Sequence, residues 1–412
     1  MINNYLQLDR NTLRVIAAQF FLQLINVSFL AVLLIYMTKE GYADHESAGY
    51  YSYRYLGVLL FALPVGILIR NTRLKPFLVA PGIMVPTCSL VMLYAIHAHI
   101  SWLLYIGTFC WGMFFTFVQV TALPYILRNT HPSYRSEAFA LSYSTWSLSG
   151  ILGGSLIASL HAINPDMFTE RSILTLLSCL GFLSLYFALR VTKDNGPEAD
   201  VPKTFHWKQY DWHLIGRGML PTLLIATGAG LTMQFISLFF YNVHQVDSYP
   251  FATLQAVALI LVFISIIIVP SIKRNLGYRT AITTTQSLAV GALVVLATTE
   301  YYAGTSIALY IAFGAYLIRQ PLMNMSNPMA SELVMNYVGK KNQEIISALT
   351  SATWNGSWYI SAILFKFMRM HGVPYVHILL TTAGLYLIGI FLYHKLINAY
   401  EASEQTRLSN TL

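Results

Sequence analysis

Arg319 lies about 15 residues into a largely apolar stretch that begins near residue 304, and no Asp or Glu accompanies it there. A lone guanidinium at that depth in hydrocarbon costs at least about 3 kcal/mol on insertion scales, so it requires a cavity, a partner or a ligand. Its planar fork of donors matches carboxylate and phosphate geometry. The chemistry it points to is the binding of an anionic or zwitterionic solute. Arg54 stands about seven residues inside the outer end of another apolar stretch, one turn after Tyr50 and Tyr51, and is expected to snorkel outward.

Polar side chains at helical spacing surround this candidate. Gln19, Gln23 and Asn26 fall at i, i+4 and i+7 of one stretch, and Gly230, Gln234, Ser237 and Tyr241 repeat that spacing in another. Gln119 follows Thr108, Gly112 and Thr116, while Gln320 and Asn327 share a broad face with Arg319 and Tyr316. Trp146 lies between Ser142 and Ser149, and Trp354, Asn355 and Trp358 follow Ser347 and Ser351. Amides beside aromatic rings suit an organic solute with apolar parts. The same residues can instead serve amide hydrogen bonds between helices and plain tryptophan packing.

Other chemistry is not legible. No phosphate loop, nucleophile elbow or HExxH occurs, so neither a nucleotide-driven pump nor a membrane hydrolase has its parts, and no catalytic residue or cofactor is expected. Met323, Met325 and Met329 suggest copper only until a close His/Cys set is sought; without one they read as packing, and no metal site is expected. Cys88, Cys110 and Cys179 sit in three different apolar stretches and read as small packing residues. Glu137, Glu332 and Glu344 come nearest to the apolar interior but stand near the cytoplasmic ends.

The elements that must position these residues follow from composition. The 412 residues are 56% hydrophobic and 10% charged, against roughly a quarter charged in an ordinary soluble domain. The apolar residues cluster near 15–37, 48–69, 76–96, 102–127, 138–161, 172–191, 213–241, 251–272, 281–299, 304–329, 345–367 and 373–397. Each run is long enough to cross a core about 30 Å thick as a helix. Runs such as Leu259 to Val269 do not alternate, which excludes a β-barrel. The first run is too long for a signal-peptide core and is expected to remain as an uncleaved span.

The net charge of +8 reflects topology rather than nucleic acid. With the N-terminus inside, Lys39, Arg171, Lys366 and Arg369 fall outside and Arg54 and Arg319 within spans, leaving 19 of the 25 basic residues cytoplasmic. Both termini are therefore expected in the cytoplasm, with Asn164 and Ser248 outside and Asn195 inside.

Between the sixth and seventh runs the segment from Lys193 to Lys203 turns polar, with two prolines. The same spacing then recurs on both sides. Arg70, Asn71 and Lys75 return as Arg274, Asn275 and Arg279, and Pro124 returns as Pro328, each shifted by 204. The segment from Ala140 to Trp146 returns from Ala348 to Trp354, shifted by 208. A shift of six spans preserves helix direction, so the halves are parallel repeats about an axis along the membrane normal.

Twelve spans in two such halves, a long middle loop and short basic loops after spans two and eight resemble the major facilitator superfamily over nearly the whole chain. After span two, Gly66 precedes Arg70 where the family's loop signature has an aspartate; Lys273, Arg274, Gly277 and Arg279 keep the basic and glycine positions of the second copy. Ser149, Gly150, Gly153 and Gly154 carry the glycines of the drug-antiporter motif but not its proline. The resemblance implies an all-α integral membrane fold with two pseudo-symmetric six-helix bundles, 1–192 and 212–412, joined by a cytoplasmic linker at 193–211. It implies a monomeric, multi-pass secondary transporter of the cell membrane, not an enzyme, that moves a small-molecule substrate by alternating access, with spans one and seven beside the cavity and a coupling proton or ion as partner. A multidrug exporter is the alternative cargo class, and a membrane sensor or an enzyme on a transporter scaffold is the alternative outside transport.

Overall fold

The structure, a computed structural model, describes residues 8–70, 72–131, 134–192, 210–339 and 343–409. Most of the expected linker, including Lys193, Asn195, Lys203 and Lys208, lies outside the described residues, as do Asn71, Lys340 and Lys341. The side chains of Arg70, Lys273, Arg274, Glu344, Ser347 and Ser351 lie outside them too. Among the described residues there is no β-strand. This is the only outcome available to a backbone that must satisfy its polar groups without water or sheet closure.

The helices are α1 (Arg10–Lys39), α2 (Asp44–Arg70), α3 (Lys75–His97), α4 (Ser101–Asn129), α5 (Arg135–Ile163), α6 (Glu170–Leu189), α7 (Trp212–His244), α8 (Ser248–Arg279), α9 (Thr285–Thr298), α10 (Ser306–Val338), α11 (Gln343–Met370) and α12 (Tyr375–Ser409). Eleven of these regions are long and apolar enough to cross a membrane; α11 has the length but carries a more mixed surface. Asp9, Thr169, Asp211 and Thr305 cap α1, α6, α7 and α10 by accepting from backbone N–H groups that no helical carbonyl can reach.

Several elements differ from the apolar runs. α6 is interrupted at Phe182, and α7 stops at Met233 and restarts at Ile236. The stripe expected from Gly230 to Tyr241 is therefore not one continuous helical face. α8 kinks at Gly277, whose φ of 74° a side chain would resist. α12 continues to Ser409, well beyond residue 397, because its last turns are polar and carry no hydropathy signal.

The chain forms two compact units, one of Met1–Lys203 with Val246–Ala256 and one of Thr204–Gln245 with Val257–Leu412. In the first, α1 packs on α5 and α6, and α3 packs on α4 and α6. In the second, α7 packs on α11 and α12, and α9 packs on α10 and α12, which is the same pattern six helices on. Paired helices start 202 to 210 residues apart, as Arg10 and Trp212, Asp44 and Ser248, Lys75 and Thr285, Ser101 and Ser306, Arg135 and Gln343, and Glu170 and Tyr375 show. The internal repeat read from short sequence matches is thus a repeat of packing.

Candidate functional site

Among the described residues each unit buries one guanidinium, and glycines make room for both. In the first unit α2 and α4 touch backbone to backbone. A Cβ on Gly112 would lie 1.9 Å from the Arg54 carbonyl oxygen, and one on Gly57 2.4 Å from that of Phe109. This approach lays Trp111 of α4 under Arg54, with the guanidinium carbon 4.2 Å from a ring centroid, and Tyr55 and Tyr51 flank it at 5.2 and 5.5 Å. Arg54 donates to the Tyr51 hydroxyl at 2.6 Å and to Asn26 Oδ1, and Asn26 Nδ2 donates to Gln23 Oε1 at 3.0 Å. The expectation that Arg54 snorkels outward is corrected: the side chain is 6% exposed, because ring quadrupoles and an amide oxygen take over from water.

The polar stripe of α1 divides between two neighbours. Gln23 and Asn26 serve Arg54, whereas Gln19 accepts from Ser142 of α5 at 2.7 Å, and Ser149 donates to the Phe20 carbonyl at 3.1 Å. Trp146, one turn from Ser149, stays 37% exposed. On α4, Thr108 and Thr116 turn back to their own helix backbone and Gln119 is exposed, so that face is not a polar stripe.

In the second unit Gly228 lets α7 approach α12, since a Cβ there would sit 2.7 Å from the Tyr386 ring. The Tyr386 hydroxyl then reaches Arg319, which donates to it at 3.0 Å, to Gln320 Oε1 at 3.2 Å and to Met233 Sδ at 2.9 Å. Arg319 is 1% exposed, its Nε has no acceptor, and every hydrogen-bond partner is neutral. Gln320 in turn donates to the Tyr316 hydroxyl at 2.9 Å.

The break in α7 sits at this level. Its flanking residues Thr232, Met233 and Gln234 contact Thr382, Arg319 and the Trp358 carbonyl respectively. Gln234 is fully buried and its Oε1 lacks a donor. Tyr241 lies beyond the break, half-buried, on a face that Gln234 does not share. On α11, Trp354 and Trp358 meet edge to face at 6.4 Å, with Asn355 half-buried between them in sequence.

Below Arg319 along α10 the second unit holds a cavity of about 240 Å³. Its walls include Thr222, Gln286, Asn327, Ser331, Trp354 and Tyr393. Asn327 and Trp354 among them belong to the polar and aromatic faces legible in the sequence. Gln286 lies on α9, which carries no polar stripe, and Tyr386 and Tyr393 lie on α12 seven residues apart, a two-turn spacing that is visible only once Arg319 supplies a reason to look.

A polar cluster stands at the other end of the first unit. Lys39 bridges Glu170 and Asp247, the latter at 2.6 Å, and His161 stacks on Tyr249 with centroids 3.3 Å apart and planes at 6°. Burial pushes the Asp247 carboxyl up, yet the hydrogen bonds from Lys39 and the Ser248 N–H and the Lys39 charge outweigh it and hold the group below the ordinary aspartate range.

The described residues, twelve helices in two repeated units with Arg54 buried in one and Arg319 in the other among neutral partners, define a polytopic membrane protein of transporter architecture. The family model of the Major Facilitator Superfamily matches residues 16–362, and the chain belongs to that superfamily. Among solved structures it is similar to the nucleoside transporter NupG, with a TM-score of 0.72 at 11% identity, covering 94% of this chain and 99% of that one. It is likewise similar to a bacterial homologue of the iron transporter ferroportin (TM-score 0.71, 14% identity, 94% and 98% covered). The POT family transporter PepTSo gives a TM-score of 0.73 at 12% identity, with 95% and 98% covered. No curated protein matches the sequence.

Proposed function

We propose that the protein is a secondary active transporter that moves a small organic anion or amphiphile by alternating access, with residues 1–192 rocking against 212–412. The observation that carries the reading is Arg319: a guanidinium with 1% exposure and hydrogen bonds to neutral groups only. A cation in hydrocarbon with dipolar partners alone retains affinity for an anion. The structures named above are a nucleoside transporter, a homologue of an iron transporter and a POT family transporter, so the cargo is argued from this chain's own residues. Partners are the substrate, the lipid bilayer and a coupling proton or ion; the protein works as a monomer in the cell membrane with both termini cytoplasmic and performs no catalysis.

The test is ligand affinity and apo melting temperature for wild type, Arg319→Gln and Arg319→Lys in one detergent, screened against organic anions, cations, sugars and peptides by thermal shift. Arg319→Gln should weaken anion binding at least tenfold, and Arg319→Lys should keep part of it. Unchanged anion affinity in Arg319→Gln removes the arginine from the site. Multidrug export is the second reading, favoured by the Trp354 and Trp358 pair; it requires that permanently cationic amphiphiles bind more tightly than anions in the same screen.

A further inference from the structure

The cavity of the second unit is lined from α7, α9, α10, α11 and α12, partly open at Ser331, and has no charged side chain in its lining. Its 240 Å³ corresponds to about eight water molecules, enough for one sugar-sized ring. Gln286 on its wall is 1% exposed; the amide nitrogen donates to Ser326 Oγ at 3.0 Å, while the carbonyl oxygen has no donor. A buried acceptor of this kind is either a standing loss of stability or half of a contact completed by a ligand. Across the cavity the hydroxyls of Thr222 and Tyr393 pair at 3.0 Å, and Trp354 supplies an aromatic wall.

We infer that this cavity binds the uncharged part of the transported solute, and that this part bears a hydroxyl or amide N–H that donates to Gln286 Oε1. The inference rests on the reading of Arg319 as the anion contact. Asn327 on the cavity wall follows Arg319 by eight residues on α10, about 12 Å of helix, and Tyr393 follows Tyr386 by seven on α12. A solute long enough to serve both levels carries its charge at one end and its donors at the other. The class is a hydroxylated organic acid with a ring or chain to lie against Trp354, rather than an inorganic anion or a fatty acid.

Three probes of similar size separate the two ideas: phenyl β-glucuronide, with acid and hydroxyls; phenyl β-glucoside, with hydroxyls only; and biphenyl-4-carboxylate, with acid only. Affinities are measured on the full chain in detergent for wild type, Arg319→Gln, Gln286→Leu and Ser331→Phe, the last adding bulk to the cavity from an exposed wall position. The glucuronide should bind best and lose at least tenfold in Gln286→Leu and in Ser331→Phe, whereas biphenyl-4-carboxylate should change less than twofold in Gln286→Leu. If Gln286→Leu does not fold, Ser331→Phe decides alone. Glucuronide affinity within twofold of wild type in the folded cavity variants, or no binding of any probe, overturns the inference. If both anions bind alike and depend on Arg319 but not on Gln286, the cavity inference falls and the anion reading stands. If glucoside equals glucuronide and both depend on Gln286 but not on Arg319, the cavity inference stands and the anion reading falls.

Discussion

At the scale of single residues, the protein solves the problem of a buried guanidinium twice and differently. Arg54 is held by ring faces, a phenol and one amide, Arg319 by a phenol, an amide and a thioether. Because the Tyr386 hydroxyl accepts from a charged donor, Tyr386→Phe should lower stability by about 1.5–3 kcal/mol, read as a fall in apo melting temperature that Arg319→Gln, Tyr386→Phe together do not add to in full. The first cage depends on a missing side chain. Gly112→Ala forces a methyl to within 1.9 Å of the Arg54 carbonyl, so α2 and α4 must part and Trp111 must leave the guanidinium. The expected loss is about 1–3 kcal/mol or more, checked by melting temperature and by the change in Trp111 fluorescence.

At the scale of elements, Asp247 immediately precedes α8 and is tied to the end of α1 through Lys39. Its folded-state carboxyl is held below its unfolded value, so the stability it contributes is present above about pH 3.9 and is lost as pH falls through the lower folded value. The difference in melting temperature between wild type and Asp247→Asn should therefore be constant from pH 7 to about pH 5 and vanish in stronger acid. A difference that instead grew below pH 4 would mean the pair is not what the carboxylate serves. The side chain is 45% exposed, so high salt should shrink the same difference at neutral pH.

At the scale of the whole molecule, the basic-loop bias and the repeat lead to an orientation and a motion. Single cysteines at Asn164 and Gln245 should react with a membrane-impermeant maleimide from outside, and one at Asn195 only after permeabilisation; Ser248, expected outside, is fully buried and is the wrong position for a label. Spin labels at the outer and cytoplasmic ends of the two halves should report two distance populations that shift in opposite senses when a bound anion is added. One fixed distance at both ends under every ligand would favour a sensor or a static scaffold.

Sequence alone yields what depends on solvent and on period: a series of membrane-length helices, eleven of them apolar enough to span, their repeat, and the superfamily. Lipid admits few backbone solutions, and a shift of 204 that carries Pro124 onto Pro328 survives without knowledge of any contact. Arg319 was legible for the same reason, since its cost is set by depth alone. Tertiary structure decided which groups meet that charge. Tyr386 and Met233 lie 67 and 86 residues from Arg319, and hydropathy holds no record of such pairings. It also reversed Arg54, because the glycines that bring α4 close enough for Trp111 to replace water act through space that only packing reveals. Gln286 was invisible for a related reason: one amide in an apolar helix reads as noise until the residue is found lining a cavity with its carbonyl oxygen buried and lacking a donor.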